Sequence, residues 1–336
     1  MIRLALMKEW FNRVDEERQS PIADQIAARW FDADALVSCG PASSNIVCRV
    51  TEGGQTYYLR FNHESERTAE YYAAEMAFVE HIAARGVRVA CSVRSKAGAL
   101  VESVSTEMGL FHAVLLEAMH GEGMELMDMD EPPMRAWGWA MAGLHLAAEG
   151  YEGRGRPDWL DHLAFAKCMI PPAEDAAHAE MAFVEHALGG LCSDSSRFGL
   201  IHFDMEADNM RWQDGVPGIF DFDDCARYPF AADVAYALRD LYEDKIERID
   251  LTDTRLRAFV EGYRSRRPLP EDELRLLPLF MRAHNLYWFA RPQRSVADGR
   301  APGEEQWTTD LRDKLTSTMD EYREGFESRP VGEYLS

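Results

Sequence analysis

The spacing of apolar positions changes several times along the chain, and each change marks an element. Up to about Trp30, apolar residues recur at helical spacing (Leu4, Ala5, Trp10, Phe11), which predicts a helix or helical hairpin. From Ala35, ALVSCGPASSNIVCRVTEGGQTYYLRF divides into a small-residue loop, a β-branched run, a turn at Gly53 and Gly54, and a second strand. That is a β-hairpin with a loop at its mouth. ESERTAEYYAAEMAFVEHIAARG is an amphipathic helix closed by Gly86. Strand-like pieces in VRVACSV, ALVESV and LFHAVLLEAM complete a small sheet by about Glu117. The turn-rich, Met-rich MHGEGMELMDMDEPP predicts a hinge. Helical patterns then dominate in MRAWGWAMAGLHLAAEG, EDAAHAEMAFVEHALGGL, DVAYALRDLYEDKIERI and LLPLFMRAHNLYWFA, and DGRAPGEEQ reads as a loop before a last helix. The outline is α+β in two lobes. Residues 1–117 form a β-rich lobe with an N-terminal helical extension, and residues 118–336 a larger helical lobe.

Composition narrows the classes of function. A chain of 336 residues with 46% hydrophobic content suits one large domain or two lobes. The formal charge of −22 disfavours partners that are nucleic acids or anionic membranes, and tolerates a cationic small molecule. The six cysteines (Cys39, Cys48, Cys91, Cys168, Cys192, Cys225) form no C-x-x-C pair, which predicts buried free thiols in a reducing compartment. MIRLALMKEWFNRVDEE, with its charges, does not fit a signal peptide, and no apolar run reaches membrane-spanning length. A cytoplasmic protein is expected.

The chemistry is concentrated in two acid-rich stretches, LIHFDMEADNMRW and GIFDFDDCARYPF. Carboxylates are costly to desolvate unless paired, hydrogen-bonded or bound to a cation, so their place among strand-like apolar residues predicts a cation site. His202, Asp204 and Asn209 match the kinase catalytic-loop pattern H-x-D-x-x-x-x-N, in which the Asp accepts or orients the proton of an attacking hydroxyl and the Asn binds Mg²⁺. Asp221 of GIFDFDD falls where a second, hard-oxygen metal ligand belongs. Alone, H-x-D-x-x-x-x-N also occurs by chance as a plain turn; the D-x-D-D strand downstream gives it weight.

With these motifs the chain resembles the aminoglycoside phosphotransferase family, which is similar to choline and homoserine kinases and shares a two-lobed protein-kinase-like fold. ALVSCGPASSNIVCRV resembles the nucleotide-covering loop, YYLRF the strand of the phosphate-binding base, and EYYAAEMAFVEHIAARGVRV the helix whose Glu pairs with it. LLEAMHGE resembles the adenine-facing connector, MAGLHLAA the helix before the catalytic segment, and FAADVAYAL the helix after the metal strand. The likeness spans about Leu36 to Arg291.

The resemblance implies an Mg²⁺-dependent transfer of phosphate from ATP (or GTP) to a hydroxyl of a small-molecule acceptor. It makes Asp204 the catalytic base, Asn209 and Asp221 the metal ligands, Arg60 the α/β-phosphate contact and Glu75 its partner. Asp233 braces the catalytic loop, and His202 packs within it. Backbone N–H groups near Ser43 and Ser44 would meet phosphate, and Met119 would face adenine. Asp223 and Asp224 approach metal or a cationic acceptor, or serve as caps and loop contacts. Together with Glu206 they favour an amine-bearing acceptor. His284, Tyr287, Trp288 and Arg291 share one helical face that is a candidate acceptor wall. The chain departs from the family in three places: Phe203 replaces the usual Gly, Glu206 and Ala207 replace a common His or Asn and small residue, and Arg60 replaces Lys. Phe203 and Arg60 motivate an alternative, a nucleotide-binding but silent pseudokinase scaffold. A kinase acting on protein Ser/Thr is a further alternative, though no activation segment ending in A-P-E comes after Asp221.

Overall fold

The computed structural model describes residues 1–32, 34–191, 194, 196–297, 299–300 and 304–328. Two short helices, α1 (Leu4–Phe11) and α2 (Pro21–Ala27), precede a six-stranded antiparallel sheet. Its strands are β1 (Leu36–Cys39), β2 (Ile46–Glu52), β3 (Gln55–His63), β4 (Ser92–Val93), β5 (Glu102–Thr106) and β6 (Gly109–Glu117). Their order is β1-β2-β3-β6-β4, with β5 also pairing to β6. Gly53 and Gly54 both have positive φ (56° and 81°), so the β2–β3 turn matches the right-handed twist of its strands. Ile46, Cys48 and Val50 alternate inward along β2 and meet Leu59 and Phe61 of β3; Trp10 of α1 stands edge-on to Phe61 at 5.4 Å. Helix α3 (Ala69–Ala83) lies between β3 and β4, with Thr68 accepting from the Tyr71 N–H as its N-cap. Its buried Tyr72, Met76 and Phe78 join the core of the helical half, so α3 couples the sheet to the larger lobe.

The remaining elements are α4 (Glu131–Ala148), α5 (Trp159–Met169), α6 (Asp175–Gly189), β7 (Phe198–Ile201), β8 (Met210–Gln213), β9 (Val216–Ile219) and β10 (Ala226–Pro229). After them come α7 (Phe230–Ala237), α8 (Thr254–Arg264), α9 (Glu271–Leu274), α10 (Leu277–Val296) and α11 (Gln306–Ser328). Strand β10 pairs with β7, and β8 with β9. Helices α4 and α8 cross so closely that a Cβ on Gly138 would lie 1.9 Å from the Phe259 carbonyl oxygen, and one on Gly262 1.9 Å from that of Arg135. Among the described residues no helix is long and apolar enough to cross a membrane.

Three expectations from the sequence are corrected. Cys39 and Cys48 are not free thiols: they are partners in the β1–β2 register and form a disulfide. Cys91 and Cys168 are free but exposed, Cys225 is free and buried, and Cys192 lies outside the described residues. The helix read through DVAYALRDLYEDKIERI stops at Ala237. The chain continues in 3₁₀ turns at Arg239–Tyr242 and Ile246–Arg248, with Glu243 and Asp244 left-handed between them. The Met-rich connector is also strapped down. Glu122 exchanges two backbone hydrogen bonds with Trp212 of β8 (2.9 and 2.8 Å), and Gly121 runs so close to Trp212 that a Cβ would lie 2.4 Å from its carbonyl oxygen.

Candidate active site

The loop after β7 is fixed from below by a buried carboxylate. Asp233, in the first turn of α7, accepts the N–H of His202 (3.0 Å) and of Phe203 (2.8 Å). His145 of α4 bonds the same carboxylate at 3.0 Å and Tyr263 at 2.8 Å. Burial holds the His145 imidazole below its usual pKa, with Asp233 opposing. His202 is likewise lowered chiefly by burial; its Nε2 meets the Phe220 carbonyl at 3.0 Å, so it packs within the loop and faces no open space.

Between these anchors Phe203 adopts φ +74°, a conformation that costs an ordinary residue roughly 1–2 kcal/mol. Its ring is fully buried among His162, Tyr228, Tyr236, His284 and Tyr287, with ring centroids 4.9–6.0 Å away. Packing of this size exceeds the backbone cost.

The turn brings Asp204 to the cleft beside Asn209, whose Nδ2 donates to the Asp204 carbonyl (2.8 Å) and carboxylate (3.1 Å). That leaves the Asn209 Oδ1 without a protein partner among the described residues. Arg239, just past α7, pairs with Asp204 (2.8 Å) and with Glu206. Glu206 is pushed up to about 8 by burial first, and then by Asp204 and Asp240, against the pull of Arg239.

Beside this loop lies the candidate metal-binding turn between β9 and β10, where the Phe220 N–H bonds the Asn209 carbonyl at 3.1 Å. Asp221 has φ +64° and a side chain 49% exposed to the cleft. Although half of it faces the opening, burial by the surrounding protein raises its pKa to about 6, with Arg60 opposing. Arg60 on β3 is 3% exposed and bridges Asp221 (2.9 Å) and Glu75 of α3. Its buried Nε–H has no partner among the described residues.

Asp223 and Asp224 are neither helix caps nor open to a metal or an acceptor. Asp223 pairs with Arg67 at 3.1 Å and Asp224 with Arg291 at 2.7 Å, both buried. Burial alone would raise the Asp223 pKa; Arg67, Arg60 and Arg156 instead hold it well below the usual carboxylate range. The sequence placed these aspartates on a strand, but β9 ends at Ile219 and all three lie in the turn before β10, where they meet Arg60 of β3, Arg67 of the β3–α3 loop and Arg291 of α10.

A cavity of about 240 Å³ opens between the sheet and the segment Phe220–Asp221. Val47, Ala90 and Leu116 line one side and Phe220 the other; Met119 and Arg211 also line it, and Arg60 and Asp221 do so too. Ser43 and Ser44 lie in the loop between β1 and β2. The Ser43 N–H is taken by the Asn45 carbonyl (3.1 Å), whereas that of Ser44 has no partner among the described residues. On the expected acceptor wall, His284 is buried in the ring cluster, while Tyr287 and Trp288 are partly exposed. The structure thus brings together Arg60, Glu75, Asp204, Asn209 and Asp221, with Met119 lining the cavity and Ser44 tied to Asp224 through Arg291. Sequence reading missed Arg67, Arg156 and Arg239, which lie more than 30 positions from Asp204, Glu206 and Asp223.

This geometry is that of a phosphotransferase of the protein-kinase-like fold. Residues 39–269 match the phosphotransferase enzyme family known as APH, and the chain belongs to that family. It is 24% identical to an amicoumacin kinase of Bacillus subtilis (strain 168) over 282 residues, 80% of this chain and 83% of that one. It is 29% identical to a homoserine kinase of Agrobacterium fabrum (strain C58) over 221 residues, 64% and 66% of the two chains. An amicoumacin kinase solved with AMP-PNP and Ca²⁺ superposes with a TM-score of 0.76 at 20% identity, over 97% of both chains. A microcompartment-associated aminopropanol kinase gives 0.68 at 20%, over 91% and 94%. At these identities the structural likeness speaks for the fold.

Proposed function

We propose that the protein transfers the γ-phosphate of ATP, bound with Mg²⁺, to a hydroxyl of a small amine-bearing acceptor. The observation that carries this reading is the pairing of Asp204 and Asn209 on a rigidly braced loop beside Asp221 and Arg60, with the Phe220 N–H bonded to the Asn209 carbonyl at 3.1 Å. The donor set suits a hard divalent cation: the exposed Asp221 carboxylate and the free Asn209 Oδ1 are oxygens. Among the described residues no cluster of three or more His, Cys, Asp or Glu forms a self-contained metal cage, as expected of a cation that also needs phosphate oxygens. When bound there, Mg²⁺ supplies charge neutralisation at the phosphates.

The protein's own groups divide the work. The unpartnered Nε–H of Arg60 and N–H of Ser44 are donors suited to phosphate oxygens. Glu75 and Asp221 fix the guanidinium that carries the first. Asp204 receives the acceptor hydroxyl and takes its proton as the new O–P bond forms and the nucleoside diphosphate leaves. Arg239 and Asn209 hold that carboxylate in one orientation.

The charge count favours an amine on the acceptor, for a reason different from the one read in the sequence. Asp223 and Asp224 are neutralised in pairs and the raised Glu206 carboxyl keeps its proton near neutral pH, but Asp204 and Asp240 share Arg239 alone, which leaves an excess of negative charge beside the catalytic loop. After Asp221 the chain reaches β10 within five residues and α7 directly afterwards, which leaves no platform for a protein substrate.

The test is ATP and GTP consumption with Mg²⁺ against aminoglycosides, homoserine, choline, macrolides and small amino alcohols, with Asp204→Ala alongside. Turnover on one acceptor should fall on the order of 10²-fold or more in the variant, with nucleotide binding retained. Undiminished turnover in Asp204→Ala would overturn the assignment. Nucleotide binding without turnover on any acceptor would favour the silent scaffold.

A further inference from the structure

The loop between β1 and β2 is held at its root and at its tip, and beside the tip the Ile2 N–H bonds the Ser43 carbonyl at 2.9 Å and Tyr72 bonds the Asn45 side chain at 3.0 Å. At its root, Cys39 and Cys48 are linked and the Gly40 N–H bonds the Val47 carbonyl at 2.9 Å. At its tip, the Ser44 carbonyl accepts from Asn62 Nδ2 at 2.9 Å, and the Ser44 hydroxyl accepts from Arg291 Nη2 at 2.7 Å. Arg291 belongs to α10, 247 positions away in the chain and in the helical half of the molecule. Its other arm, Nη1, bonds Asp224 at 2.7 Å, three residues beyond Asp221. Its flat face rests on Trp288, 4.3 Å from the ring centroid. One buried guanidinium therefore touches the β1–β2 loop, the β9–β10 turn that carries Asp221 and the candidate acceptor wall.

We infer that Arg291 is a positioning residue that sets the height of the covering loop above the β9–β10 turn and links that height to the acceptor wall. A guanidinium is a planar fork with fixed angles between its donors, so holding Asp224 with one arm fixes where the other must find Ser44. The Ser44 N–H, which has no partner among the described residues, is placed relative to Asp221 by that fork. A shift of Trp288 on acceptor binding would tilt the same fork and move the loop. A lysine at 291 would keep the charge against Asp224 but has no second arm in the same plane. The nucleotide part of this inference rests on the proposed phosphotransferase function; the tether itself does not.

Hydrogen–deuterium exchange on the full chain tests it, with Ser44→Ala, Arg291→Lys and the double variant, with and without Mg²⁺ and AMP-PNP. Without nucleotide, exchange in residues 40–45 should rise about tenfold in each single variant, as loss of one charge-assisted hydrogen bond implies. It should rise no further in the double variant, because both changes cut one link. In the wild type AMP-PNP should also protect residues 287–292, and in Ser44→Ala that remote protection should disappear while protection near Asp221 stays. Loop exchange within about twofold of wild type in Ser44→Ala, or independent addition of the two changes, would overturn the tether. Remote protection that survives in Ser44→Ala would overturn the coupling. Failure of the wild type to bind AMP-PNP would instead refute the proposed function and with it the coupling, leaving the nucleotide-free comparison to decide the tether.

Discussion

Replacing Phe203 separates two opposing contributions at the catalytic loop. The ring is fully buried, and truncating such a residue to alanine costs about 3–5 kcal/mol. The backbone beneath it sits at φ +74°, where any side chain costs about 1–2 kcal/mol and glycine almost nothing. Phe203→Ala loses the ring and keeps the backbone cost. Phe203→Gly loses the ring and sheds that cost, but glycine also loosens the unfolded chain, which offsets about 0.4–1 kcal/mol of the gain. The glycine variant should therefore be the more stable of the two by roughly 1 kcal/mol, a reversal of the usual order. For 336 residues the unfolding entropy is about 0.7 kcal/mol/K, so Phe203→Ala should melt about 4–7 °C below wild type and Phe203→Gly about 1–2 °C above Phe203→Ala. Urea midpoints at equal m-values, checked against thermal melts, measure the difference. An alanine variant as stable as the glycine variant, or more so, would refute the claim that the left-handed backbone is a cost the ring offsets.

Asp233→Asn leaves one of the two loop N–H groups facing an amide donor; about 2–3 kcal/mol of stability should be lost, with turnover falling more than nucleotide affinity, as denaturation and KM-against-kcat measurements would show. Burial keeps His145, His162, His202 and His284 neutral in the folded state, with His162 lowered to about 3. Their folded pKa values lie below the unfolded value of about 6.5, so this stability is complete above that pH and is lost as pH falls below it, about 2 kcal/mol for His162 alone by about pH 5. His162→Gln should flatten the pH dependence of the urea midpoint between about pH 6.5 and 5 by close to one proton, and an unchanged slope would count against it. Non-reducing peptide mapping should find Cys39 joined to Cys48, and phosphine reduction should speed amide exchange at residues 40–47; thiol labelling of both cysteines without reductant would refute the link.

What could be read from the sequence was what short-range spacing encodes. The β2–β3 hairpin and α3 announce themselves through period, caps and glycine, and H-x-D-x-x-x-x-N with D-x-D-D places Asp204, Asn209 and Asp221 within 18 positions of one another. The arginines do not. Arg67 meets Asp223 across 156 positions and Arg291 meets Asp224 across 67, so no local pattern reveals that the acids are already paired. Tertiary contacts also cut α7 short, because Arg239 must turn towards Asp204 and Glu206 and the helical hydrogen bonding gives way there. The disulfide depends on Cys39 and Cys48 falling directly opposite one another, which requires the β1–β2 pairing and its loop to be known first.

The aromatic box around Phe203 also bears on how this enzyme could be retargeted. His284 and Tyr287 both pack against the ring, and the partly exposed Tyr287 belongs to the helix face proposed as an acceptor wall. A substitution there that reshapes the pocket for a new alcohol also loosens the residue preceding Asp204, so specificity and catalytic competence are inherited together. Evolution or a designer would find fewer tolerated changes along that face than its exposure suggests. New acceptors are more readily accommodated from the side of Glu206 and Asp240, where the ring has no contact.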